Sequence, residues 1–370
     1  MSGLKASIEQ AYMGPLLTNK GFNCTLRPQK NNHKSGSHMR FHLLSLGLMA
    51  SSTVLSAPLN YPGDMLSAGQ QQISTEISVV DRYVSGDYID NANKDFTEIL
   101  ERDITSANRK GYGFRGELSY WFGVHNDINV GVRYGYAYDK YETSIAGSQG
   151  DAYEGDWKNE GGTDITLLGK YRYAKNTAIE LELTIPACSG NDKQALCSSR
   201  LGRPQNSTQS GISGGQGEGM FQVKTGIAAN WVTPMDTHWA GRVYIKGGVS
   251  SDVDGRKVAS PIALGGSFSG IFSLAENHQW MLSLGVERAF TYSAFSQQVQ
   301  QRAEYSTGSQ LGINIDYIWD FMPQLQLKPF IHVKTVQVPG ERFKVDGQWR
   351  KLEYSAGTNT SFGASLNAYF

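Results

Sequence analysis

Ionisable side chains recur at polar positions of segments that alternate polar and apolar residues: Arg115, Arg133, Lys170, Arg172, Glu180, Glu182, Arg242, Lys246, Lys328 and His332. In a strand such residues share one face, because side chains alternate sides. Charges gathered on the inner face of a closed sheet line a watery interior, where they filter solutes or pair with one another. Lys170 and Arg172 precede Lys175-Asn176, and Glu180 and Glu182 follow it. A hairpin turning there is expected to set Arg172 opposite Glu180 and Lys170 opposite Glu182, since opposite charges across a hairpin attract. Arg115, Arg133, Arg242 and Lys246 have no adjacent partner in the sequence, so both solute contact and pairing stay open for them.

Hydrolysis needs a histidine beside an activated nucleophile and a third group that orients it. His332 falls on the inner face, while His125, His238 and His278 fall in short turns. A hydrolase centred on His332 is therefore the weaker alternative: the sequence holds neither G-x-S-x-G nor H-E-x-x-H. No carboxylate cluster has metal-ligand spacing, and neither a metal nor a cofactor is expected. The Gly-rich run 211–219 lacks the GK[ST] ending of a phosphate loop. With 34 basic and 34 acidic residues the chain has no net charge, which argues against a nucleic-acid partner.

The elements that position these charges are strands. Alternation recurs over 71–84, 111–122, 129–142, 163–174, 177–187, 220–232, 239–250, 261–274, 280–294, 306–319, 325–336 and 359–370. These are about the 9–11 residues that a tilted strand needs to cross a bilayer, or longer. Short and long connections alternate, as in outer-membrane barrels with tight periplasmic turns and long external loops. The fold class expected is all-β: a transmembrane antiparallel β-barrel of about 12 strands. A hydrophobic fraction of 39 %, with 42 glycines and 19 tyrosines, suits a sheet with lipid on one side and water on the other. Tyr112, Tyr120, Phe122, Tyr134, Tyr138, Trp231, Trp239, Trp280, Tyr317, Trp319 and Phe370 sit near strand ends, as interfacial girdles require. The closing S-F-G-A-S-L-N-A-Y-F resembles the terminal signature of outer-membrane proteins. That resemblance implies a bacterial outer-membrane location, with the barrel-assembly machinery as a partner through Phe370, and lipid and lipopolysaccharide around the wall.

Before the barrel, Met39–Ala57 reads as a secretory signal peptide, with Leu43–Leu55 as its apolar run. Residues 1–57 are expected to be a removed leader, with translation starting at Met1 or at Met39, and 58–370 to be a single barrel domain. Cys188 and Cys197 lie nine apart in a loop and read as one disulfide in an oxidising compartment. Phe96, Ile99, Leu100 and Ile104 follow helical spacing, which predicts a short amphipathic helix near 95–108. Such a helix would plug the barrel mouth or lie on the external loops.

The runs G-G-T-D-I-T-L-L-G-K-Y-R-Y (161–173), I-E-L-E-L-T-I-P (179–186) and F-Q-V-K-T-G-I-A-A-N-W-V (221–232) resemble outer-membrane transporters of the MetA-pathway phenol-degradation group, related to FadL-like channels. Pro186 is followed by Ala187-Cys188, so the group's P-T-G ending is degenerate here. The resemblance implies passive passage of small solutes, hydrophobic or aromatic among them, and supplies no binding residues. The alternatives are a barrel scaffold or adhesin acting through loops 143–162 and 188–219, or an exporter of amyloid subunits.

Overall fold

A computed structural model describes residues 59–86, 104–147, 152–187, 213–214, 220–233, 237–253, 256–259, 261–296, 301–337, 341–345, 348–352 and 356–370. All belong to one compact unit, Val54–Phe370. The wall is built from β1 (Gln71–Gly86), β2 (Ile104–His125), β3 (Ile128–Gly147), β4 (Ala152–Gly162), β5 (Ile165–Ala174), β6 (Thr177–Ile185) and β7 (Gln222–Val232). It continues through β8 (His238–Gly248), β9 (Ala263–Ala275), β10 (His278–Ala289), β11 (Gly308–Met322), β12 (Leu325–Gln337) and β13 (Ala356–Tyr369). β4 and β5 share one stave, because β3 pairs with β4 over Tyr136–Ala146 and with β5 over Ile128–Arg133. Twelve antiparallel staves result, and the sheet closes where β1 pairs with β13. Gln71 and Phe370 exchange both backbone N–H···O bonds, each 3.0 Å, so the last residue seals the seam. Twelve strands about 4.8 Å apart and tilted about 40° make a wall roughly 24 Å across.

Alternation fixes which face meets lipid. Val243, Leu118 and Ile77 point outward and are 63 %, 55 % and 52 % exposed, the pattern of a membrane wall rather than of a dry core. Aromatic rings band the outer surface near the short turns: Trp239 stacks on Phe268 at 5.1 Å, and Trp280 meets Tyr317 at 5.1 Å. On β2, Tyr112 and Phe122 are ten residues apart (122 − 112), and both lie on the outer face. That spacing covers about 25 Å along the membrane normal at this tilt, the height of an apolar band.

Four two-residue turns close one end: Asn126-Asp127, Lys175-Asn176, Glu276-Asn277 and Pro323-Gln324. Each follows a bulge that leaves one residue of the incoming strand unpaired: Val124, Tyr173, Leu274 and Phe321. The bulge corrects one expected register. Lys170 faces Glu180, Leu168 faces Glu182, and Arg172 faces Ala178, two residues away from the expected pairing. Without a bulge the turn would set Arg172 against outward Ile179 and mix the two faces, so one residue has to be absorbed. It is absorbed at Tyr173, which slides the inward charges to Lys170↔Glu180.

Two further expectations change. Ile104 opens β2 and pairs with Gly147, so 104–108 is strand and the expected helix does not reach it. The long pairing of β2 with β3 satisfies that backbone in a ladder, which outweighs the local helical spacing. Phe96, Ile99 and Leu100 lie outside the described residues, as do Cys188, Cys197 and the signal-peptide segment. At the opposite end to the short turns, Tyr292–Ser296, Gln301–Tyr305, Glu341–Val345 and Gln348–Leu352 join into a separate four-stranded sheet.

Candidate functional site

The floor of the lumen, beside the short turns, is occupied by the chain itself. Tyr61-Pro62-Gly63-Asp64 forms a turn in which the Asp64 N–H donates to the Tyr61 carbonyl at 3.1 Å. Pro at the second and Gly at the third position is the type II pattern, and Gly63 has φ 89°. From there the segment winds past most of the wall. Asn129 on β3 accepts the Leu66 N–H at 2.8 Å and donates to the Leu66 carbonyl at 3.0 Å, treating that backbone like a strand partner. Asn230 on β7 donates to Asp64 Oδ1 at 2.6 Å, and the Asp64 Oδ2 accepts the Tyr61 N–H at 2.7 Å. The Tyr61 hydroxyl bonds Gln279 on β10. The Tyr61 ring packs on Ala240, Ile271, Met281 and Ile318, from β8 to β11, and stands edge-on to His238 at 5.0 Å. The Leu59 N–H then returns to Gln72 Oε1 on β1 at 3.0 Å. This strap, 59–70, is held by neutral amides that would otherwise be buried unpaired, each at a cost of about 1–3 kcal/mol. Leu66, within the strap, is completely buried.

Gly123 shows how close the seat is. A Cβ there would lie 2.0 Å from the Ser67 carbonyl oxygen. The same glycine exchanges backbone bonds with the strap, from the Gly69 N–H to its carbonyl at 2.7 Å and from its own N–H to Gln70 O at 2.9 Å. Asp64, boxed in by this packing, has its carboxyl pushed up to about 7. Burial is the main cause, and the Tyr61 N–H, the Lys170 charge, the Asn60 N–H and the Asn230 amide oppose it.

Above the strap the inner face is charged. Glu180 is held by Arg242 at 2.7 Å and by Lys170 at 3.2 Å. Glu182 takes Lys224 on one oxygen at 2.8 Å and Arg133 on the other at 3.1 Å, and Arg133 reaches on to Glu117 at 3.8 Å. Glu287 is gripped by Lys246 at 2.6 Å and by the Tyr244 hydroxyl at 2.7 Å. Asp316 accepts from Lys328 at 3.5 Å and His332 at 3.2 Å. Lys170, Glu180 and Arg242 are thus brought into one cluster and Arg133 and Glu182 into a second, two residues along β6, while Lys246 and the Lys328–His332 pair sit in separate ones. Arg115 stands inward on β2, in register with Ser78 and Ala137. Arg172 is set apart, on the short-turn rim, with Asp127 at 3.7 Å.

His332 is oriented by Asp316 and stacks on Phe330 at 4.3 Å. Among the described residues no serine or threonine hydroxyl is hydrogen-bonded to it. His238, expected in a turn, instead opens β8 and packs inward on Tyr61. No group of three or more potential metal ligands occurs among the described residues. The strap went unanticipated from sequence, although Pro62-Gly63 marks a turn and Asn129 and Asn230 are polar amides on inward positions.

No protein-family model matches the sequence, the MetA-pathway group included, and no curated protein matches it. Among solved structures, the COG4313 outer membrane channel from Pseudomonas putida F1 aligns at 12 % identity over 85 % of this chain and 99 % of that one, with a TM-score of 0.42. A Pseudomonas aeruginosa FadL homologue aligns at 9 % identity over 84 % and 93 %, with a TM-score of 0.37. The outer membrane protease OmpT from Escherichia coli aligns at 8 % identity over 85 % and 99 %, with a TM-score of 0.32. A channel and a protease both stand among these barrels, so what this one does has to be argued from its own lumen.

Proposed function

We propose that the chain is an outer-membrane channel for passive passage of small solutes, restricted at its periplasmic end by the 59–70 strap. The observation that carries this reading is a closed barrel whose inner wall is charged above a floor of chain docked through neutral amides. Charged walls keep an interior wet, and a wet lumen conducts unless something is seated in it. The strap is such an element, and it belongs to the same chain. Short turns and both ends of the barrel share one side, which is the periplasmic side in such proteins. Phe370, on that side, is the residue through which the assembly machinery would engage the chain.

The test is planar-bilayer conductance of the folded chain beside a variant lacking Leu59–Leu66. Small, steady current in the parent and larger current in the deletion are expected. Silence in both, with the barrel still folded by its heat-modifiable mobility, would end the channel reading.

A further inference from the structure

Most mid-lumen charges are paired with one another. Both oxygens of Glu287 are occupied, by Lys246 Nζ at 2.6 Å and by the Tyr244 hydroxyl at 2.7 Å. Both oxygens of Glu182 are occupied as well, by Lys224 and Arg133. Glu180 carries two cations, Lys170 and Arg242. Arg133 also reaches Glu117, and Glu76 stands in register with Glu117, so Arg133, Lys170, Lys224, Arg242 and Lys246 are matched by Glu76, Glu117, Glu180, Glu182 and Glu287.

Lys334 is a positive charge outside that paired set. It lies on β12 at the same parity as buried Phe330 and as His332, which binds Asp316, so it points inward. Its register neighbours, Gly312 on β11 and Asn359 on β13, bring no charge. Among the described residues no carboxylate lies within ion-pair distance of it, and its side chain is exposed to the lumen. The charges that act on it are those of Arg115, Lys246 and Lys224, with Glu287 as the carboxylate among them. An interior arranged only for its own stability would give each such ammonium a carboxylate. Here an ammonium with three donors faces water, surrounded by other cations.

We propose, resting on the channel reading above, that this cationic zone makes the lumen selective for small anions, with small monocarboxylates as the solute class and Lys334 as the side chain that receives them. A carboxylate supplies the charge that Lys334 lacks, and a low-dielectric wall focuses the field of the surrounding cations on it. Tyr244, half-buried on the same inner face, provides ring surface, which suits an aromatic acid as well as an aliphatic one.

Reversal potentials in a potassium chloride gradient test this on the full chain. The parent should pass chloride over potassium by roughly three-fold or more, an effect of the size expected from one uncompensated charge in a wet pore. Lys334→Gln should bring the ratio to near one, Lys334→Glu should invert it, and Lys334→Arg should retain it. A cation-selective or unselective parent, or an unchanged ratio in Lys334→Glu, would overturn the proposal. Benzoate titration of the detergent-folded chain separates the two readings. Benzoate bound by the parent and lost in Lys334→Glu, with no current in any form, would end the channel and leave the anion site. Current without anion preference or benzoate binding would end the anion site and leave the channel.

Discussion

The floor and the middle of the lumen are built by the same alternation yet solve opposite problems. On the floor, Asn129, Asn230, Gln279 and Gln326 are neutral amides in a crowded setting, and Asn129 and Gln326 are fully buried. Their partners are the strap and neighbouring wall side chains: Asn367 donates to Gln326 at 2.9 Å, and Gln326 donates to the Asp320 carboxylate at 2.7 Å. At mid-height, Arg133, Lys224, Arg242 and Lys246 are partly exposed to the lumen, while Glu180 and Glu287 beneath them are more deeply set. Neutral amides can be sealed from water at modest cost once bonded, whereas full charges are expensive to dehydrate even in pairs. The contrast separates a closure made of neutral contacts from a conduit made of charges.

The strongest way to break that distinction is to unseat the floor without touching the conduit. Gly123→Val places side-chain atoms where the Ser67 carbonyl sits, since even a Cβ would be 2.0 Å from it. The forced contact costs about 1–3 kcal/mol, and each of the two Gly123 backbone bonds to the strap is worth about 1 kcal/mol more. Conductance should rise toward that of the strap deletion while ion preference stays at the parental value. A conductance no higher than the parent's would mean that the strap is not what restricts flow.

Next in size is Glu180→Gln, which attacks the conduit and leaves the floor. Glu180 and Lys170 have side chains only 10 % and 9 % exposed, so this is the most buried of the lumen pairs described. Removing the carboxylate leaves Lys170 and Arg242 facing each other, at a cost of about 2–4 kcal/mol. Urea unfolding of the micelle-bound barrel should show it, and the added positive charge should raise chloride preference. Loss of stability with no change in ion preference would make Glu180 a fastener of the wall and remove it from the selectivity zone.

What could be read from the sequence follows the same line. The twelve staves, the outward faces and the inward charges were legible because lipid enforces period two along each strand, and a slip of one residue would turn every side chain over. Tyr173 was not foreseen as a bulge, so the hairpin register came out two residues away, although the two-residue turn itself demanded an absorbed residue. The strap was readable only as a Pro62-Gly63 turn, because its seats at Asn129, Asn230 and Gln279 are brought together by closure of the barrel. Lys334 shares the parity of Lys328 and His332, which marks it as inward, but its want of a carboxylate depends on neighbours across the lumen, which no strand register reveals.

The smallest effect sharpens the comparison at the point where the two regions touch. Asp64 is the strap's own carboxylate: Lys170 reaches its carbonyl at 3.4 Å, while the Tyr61 hydroxyl and Asp320 share its surroundings. Its carboxyl stands at about 7 in the docked strap, against about 4 for a free aspartate. The docked form therefore holds a proton over that window which the released form has given up. Docking is strongest below about pH 4, weakens as pH rises toward 7, and levels off above it. Conductance of the parent should accordingly climb modestly between pH 4.5 and 7.5. Asp64→Asn keeps an acceptor oxygen for the Tyr61 N–H but cannot ionise, so its conductance should stay flat across the same range at the parent's low-pH level. A slope that persists in Asp64→Asn would take the pH response away from the strap.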